Sequence, residues 1–145
     1  MKGKTMTLEE YRIRHSTLIE QYQWIEFDLE GLFAFICGDP FYEAIQEIEK
    51  DSIGGVVREI KQIEKQRNIE VFTDSEYEAL DQIRQRRNYW THACYTDVYD
   101  KRWGVPKNAS QLAEDLSFAE RFLSRLRQVK DTFAAEYRKN GIRLF

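Results

Sequence analysis

Apolar side chains return every three or four residues along most of this chain, and that regularity limits what it can fold into. From Leu8 the series runs through Tyr11, His15, Leu18, Tyr22, Ile25, Leu29 and Leu32 to Ile36. This is the repeat of one face of an α-helix and not the alternation of a half-buried strand. Thr7-x-x-Glu10 has the form of a capping box at the head of the series, so a helix is predicted over about 8–36. His15 stands at a seam position where leucine or isoleucine would be expected. It reads as a core histidine held by a hydrogen bond, with a role beside the candidate site described below as the alternative.

The same reading continues to the C-terminus. Gly38-Asp39-Pro40 stops the first helix, and Phe41, Ala44, Ile45 and Ile48 predict a short second one before Asp51 and Ser52. Ile53, Val56, Val57, Ile60 and Ile63 mark a third, with Gly54-Gly55 near its start implying either close packing or a bend. Residues 68–72 read as a connector. Thr73-x-x-Glu76 is a second capping box, and Tyr77, Leu80, Ile83, Trp90, Ala93 and Cys94 carry a fourth helix to about residue 99. After the loop Asp100 to Pro106, a last helix follows Asn108 with Leu112, Leu116, Ala119, Leu123, Leu126, Phe133 and Tyr137, until Asn140-Gly141 ends it. Short connections between long amphipathic helices favour antiparallel neighbours. The expected fold is therefore an all-α, up-and-down bundle of four to five helices, one domain over 1–145.

Composition sets the context. A length of 145 residues with 42% hydrophobic content suffices for one well-buried core. A net charge of −3 gives no global attraction to a polyanion, so any such binding must come from a local basic patch. Neither a secretory signal nor an apolar run of membrane-spanning length is visible, which points to a cytoplasmic protein with no membrane partner. Cys37 and Cys94, the two cysteines, lack metal-ligand spacing and read as packed free thiols. No cluster of carboxylates or histidines has metal-binding spacing, so neither a metal site nor another cofactor is expected.

One polar string inside the fourth helix is equipped for chemistry: Arg87-Asn88-Tyr89-Trp90-Thr91-His92. Arginine supplies a permanent cation with a fork of donors, and histidine exchanges a proton near neutral pH. On an ideal helix Asn88 and His92 share a face at roughly 40°, while Arg87 and His92 stand roughly 140° apart, so the two meet only through a kink, the reach of the arginine stem or a second copy across a twofold axis. With Ile83, Trp90, Ala93 and Cys94 toward the core, Arg84, Asn88, His92 and Tyr95 form a polar and aromatic strip.

Arg-Asn-x-x-x-His in the penultimate long helix of a small all-helical protein resembles the HEPN superfamily, many of whose members are metal-independent ribonucleases. A motif this tight arises by chance in only about one percent of chains of this length. The resemblance rests on Arg87, Asn88 and His92 and on the helical architecture. It implies a homodimer in which the motif helices of two subunits build a composite RNA-cleaving cleft, leaving a 2′,3′-cyclic phosphate without a divalent ion. His92 would act as general acid or base, Arg87 would stabilise charge on the scissile phosphate, and Asn88 would orient the phosphate or the imidazole. One prominent branch of the superfamily consists of toxins paired with a nucleotidyltransferase-like antitoxin, so a toxin or anti-phage role and such a partner are what the resemblance implies. That branch often has tyrosine two residues after the histidine, where this chain has Cys94, with Tyr95 following it.

Arg84, Arg86 and Arg87, with Lys101 and Arg102, supply the local positive patch, and Tyr95 and Trp103 are candidate base-stacking residues. The competing reading makes Arg84 and Arg86 a solvated face paired with acids, Trp103 an anchor onto the bundle, and Arg87 with His92 an inter-helix polar cluster in which the arginine meets a glutamate. Glu26, Asp28 and Glu30 read as the wet side of the first helix. The alternative function is a noncatalytic helical module that binds RNA or a protein partner.

Overall fold

The helices form where the apolar period and the caps place them. The structure, a computed structural model, describes residues 6–92 and 108–139. Among them are five helices and no strand: α1 (Leu8–Ile36), α2 (Phe41–Ile48), α3 (Ile53–Arg67), α4 (Asp74–His92) and α5 (Ala109–Lys139). The expected continuation of α4 to about residue 99 and the Asn140-Gly141 stop lie outside the described residues.

Capping chemistry accounts for most of the boundaries. Thr7 Oγ1 accepts from Glu10 N at 3.1 Å, the forward half of the first box. At α4 the box is reciprocal, Thr73 Oγ1 accepting from Glu76 N at 3.2 Å and Glu76 Oε1 accepting from Thr73 N at 2.9 Å. α1 ends into Gly38 at φ +91°, a left-handed conformation that glycine adopts without penalty. Asn68 ends α3 in the same region. Gly54 and Gly55 both lie in the first turn of α3, and a Cβ on buried Gly55 would come within 3.1 Å of Asp51 Cβ in the turn that precedes the helix.

Contacts at the helix ends give the topology. Tyr11 meets Asn108 near the starts of α1 and α5, and Phe35 meets Tyr137 near their ends, so these two long helices run parallel. α4 opposes both, with Trp90 beside Asp115 and Glu76 beside Arg125. α3 opposes α4, and its last residue, Arg67, reaches the Cys37 carbonyl at the end of α1. The result is an up-and-down bundle with α2 as the short descending element. One apolar cluster joins all five helices, including Leu18, Ile25, Leu29 and Leu32 of α1, Ile60 of α3, Ile83 and Trp90 of α4, and Leu112, Ala119 and Leu126 of α5. α1 makes its most extensive contact with α5. No helix of the described residues is long and apolar enough to cross a membrane.

Two polar ties were not expected. Glu64 of α3 accepts from Val71 N at 2.8 Å, Phe72 N at 3.2 Å and the Tyr77 hydroxyl at 2.6 Å, so one carboxylate orders the connector into α4. Burial, then the bond to Glu64, pushes the Tyr77 phenol well above its ordinary range. Glu64→Ala strands these donors and is expected to cost about 2 kcal/mol in urea denaturation. The second tie corrects the reading of α1. Asp28 is buried, not on the wet side, and accepts from Arg127 Nε at 3.0 Å and Lys130 Nζ at 2.9 Å. Lys130 reaches it over Gly31, where a Cβ would lie 2.8 Å from its Cε. Glu30 is half-buried, and burial, followed by repulsion from Glu26 and Glu49, raises its carboxyl.

Glu76 carries a pH dependence. Burial pushes its carboxyl upward, but the Thr73 N–H and Arg125 outweigh that and hold it below the ordinary glutamate range. A depressed folded-state value contributes stability above the unfolded pKa of about 4.3 that is lost as pH falls through the folded value. Below about pH 4.3 the wild type is therefore expected to lose stability more steeply than Glu76→Gln, as thermal melts at pH 3 and pH 6 would show.

Candidate functional site

α4 sorts its residues onto two faces. Leu80, Ile83 and Trp90 follow the core line and are buried, as Ile83 and Trp90 were expected to be. Arg87 falls on that same line, at the 3-4-3 spacing 80, 83, 87, 90, yet its side chain is 37% exposed and it forms an ion pair with Glu26 of α1. Asn88 and His92 are exposed on the outward face, His92 at the last described residue of the helix. The Arg87 guanidinium leans into the α1–α4 seam, whereas His92 is exposed to solvent. Among the described residues no hydrogen bond or ion pair joins Arg87, Asn88 and His92 to one another.

The surrounding cations have acidic partners. Arg84 Nη2 lies 2.9 Å from Asp81 Oδ1 on the same helix, and Arg86 Nε lies 3.8 Å from Asp115 Oδ2 of α5. Both arginines remain about half exposed. Tyr95, Cys94, Lys101, Arg102 and Trp103 lie outside the described residues. Cys37 is a half-buried free thiol whose Sγ donates weakly to the Ala34 carbonyl, and burial raises its pKa. The described residues contain no group of three or more His, Cys, Asp or Glu placed to hold a metal ion.

A polar cluster beneath the motif was not anticipated. Trp90, fully buried, donates from Nε1 to Asp115 Oδ2 at 2.7 Å, and Gln111 Nε2 donates to Asp115 Oδ1 at 2.8 Å. Next to it, Tyr11 donates to Asn108 Oδ1 and Asn108 Nδ2 donates to the Tyr89 hydroxyl, both at 2.8 Å. His15 is satisfied as expected, through Nε2 at 2.7 Å from the Trp90 carbonyl, and its ring stacks on Tyr11. Tyr22 is buried near Asp115, and desolvation followed by that carboxylate raises its phenol. A signal for the acidic member existed in the sequence: Asp115 occupies the seam register between Leu112 and Ala119, as Asp28 does between Ile25 and Leu32.

Among the described residues open grooves flank α4, three of them lined by residues of α3 or α5 as well. One, of about 580 Å³ between α4 and α5, is lined by Gln82, Arg86, Gln111, Asp115, Phe118 and Arg121 among others. The other two lie between α3 and α4, around Lys61, Tyr77 and Asp81. Arg87, Asn88 and His92 line none of the three. A separate apolar patch is exposed on α1, where Trp24 and Phe27 pack edge to face under Arg127 and Lys130. Compared with protein-family models, curated proteins and solved structures, the chain matches none.

Proposed function

We propose that the chain is a metal-independent endoribonuclease of HEPN type, acting on single-stranded or loop RNA as a homodimer. The observation that carries this reading is the accessibility of the motif. Ile83 and Trp90 take the core positions of α4, leaving Arg87 partly exposed in the α1–α4 seam and Asn88 and His92 exposed on the outward face. In this mechanism His92 moves the proton between the RNA 2′-hydroxyl and the leaving 5′-oxygen, Arg87 neutralises charge on the phosphate, and Asn88 orients the bound group. Because Arg87 and His92 diverge around the helix, the complete set is assembled from two copies, each presenting α4 across a twofold axis. Arg84, Arg86 and Tyr95 extend the RNA contact. A toxin or anti-phage role, with a nucleotidyltransferase-like antitoxin as partner in a cytoplasmic setting, belongs to the same reading.

The Arg87–Glu26 ion pair favours a second reading, a noncatalytic module that binds RNA or a protein partner, because it gives the guanidinium a structural role. Incubating the protein with labelled single-stranded RNA in EDTA separates the two: the ribonuclease cleaves, the module binds without cleaving. The composite cleft also requires association. Light scattering at tens of micromolar is expected to give twice the monomer mass of 17.4 kDa, and a monomer at that concentration contradicts the shared cleft.

A further inference from the structure

The imidazole of His15 reaches across from α1 to the last described turn of α4. Its Nε2 lies 2.7 Å from the Trp90 carbonyl oxygen, two residues before His92. A carbonyl only accepts, so His15 is the donor. A donor fixed on a neighbouring helix pins the stretch of α4 that carries this carbonyl. His15 is itself held: its ring lies nearly parallel to Tyr11, with centroids 6.4 Å apart and an interplanar angle of 5°, and it tilts against the Trp90 indole. Tyr11 is fully buried and anchored through Asn108, which also binds Tyr89. The backbone of Trp90 is thus fixed by His15 and its side chain by Asp115, while Tyr89 is fixed by Asn108. All three ties fall between Asn88 and His92, and His92 is exposed.

We propose that His15 is a positioning residue: by donating to the Trp90 carbonyl it fixes the last described turn of α4 and so sets the direction in which His92 is presented. This inference rests on the ribonuclease reading for its catalytic consequence but not for its structural one. His92 is exposed among the described residues. Its alignment comes from the backbone that carries it, and His15 holds that backbone from the adjacent helix.

The test uses two variants in the full chain. His15→Phe keeps a ring against Tyr11 and Trp90 and removes the donor; His15→Gln restores a donor. Amide hydrogen exchange at Thr91 and His92 is expected to accelerate at least tenfold in His15→Phe relative to exchange in the middle of α4, and to return toward wild type in His15→Gln. In RNA cleavage, His15→Phe is expected to lower kcat at least tenfold with KM within twofold, and His15→Gln to recover most of kcat. Unchanged exchange at Thr91 and His92 in His15→Phe overturns the proposal outright. So does accelerated exchange with an undiminished kcat in a protein that cleaves RNA. Accelerated exchange rescued by glutamine, in a wild type that cleaves no RNA, upholds the clamp and removes the ribonuclease reading instead.

Discussion

Trp90→Ala is expected to lower the unfolding free energy by about 3–5 kcal/mol, a large fraction of what a domain this size has. Trp90 is the largest fully buried side chain of the described residues. Its removal leaves a cavity where α1, α4 and α5 meet and takes a hydrogen bond from Asp115, itself buried. Gln111 and the distant Arg86 remain to that carboxylate, so it is weakened and not abandoned. Trp90→Phe separates the two contributions: most of the apolar volume is kept and the indole N–H is lost, for an expected cost of about 1–2 kcal/mol. Urea denaturation of both variants checks the ordering. A cost below about 1 kcal/mol for Trp90→Ala would mean that the site collapses freely and that the packing described here does not govern stability.

In RNA cleavage the largest expected effect is that of His92→Ala, a loss of about 10²-fold or more in kcat, the usual worth of one proton-transfer group. His92 is exposed, so its replacement should leave stability within about 0.5 kcal/mol. A lost rate in that variant is therefore a statement about chemistry and not about folding. Arg87→Ala is expected to lose a comparable factor, and Arg87→Lys to recover little, because an ammonium offers no planar fork to a phosphate. Unlike His92, Arg87 has a partner in Glu26, and its replacement leaves that half-buried carboxylate unpaired. Its melting temperature has to be read beside its rate.

Much of the fold was legible because its signals are local. The capping boxes at Thr7 and Thr73, the stop at Gly38-Asp39-Pro40 and the apolar line through α1 each depend on residues within one or two turns. The core positions Ile83 and Trp90 followed from the same period. What escaped was polar and non-local. Asp28 meets residues about a hundred positions away, and its aspartate identity at a seam position reads as surface until Arg127 and Lys130 are brought to it by the parallel pairing of α1 and α5. Asn108 reads as the head of α5, but its side chain joins Tyr11 to Tyr89. For Arg87 the competing reading named a glutamate as partner, and Glu26 of α1 is one, but which glutamate it would be was not legible. The roughly 140° separating it from His92 follows from helix geometry alone, whereas its pairing with Glu26 depends on the register of α1 against α4.

The proposed chemistry makes a specific demand on the product ends. If the 2′-hydroxyl is the nucleophile and His92 handles its proton, wild-type protein given single-stranded RNA in excess EDTA leaves a 2′,3′-cyclic phosphate on the upstream fragment, and His92→Ala under the same conditions leaves almost none. Mass spectrometry of the fragments reads this directly. Intact RNA with the wild type, or cyclic-phosphate ends formed equally by the His92→Ala protein, would contradict the account.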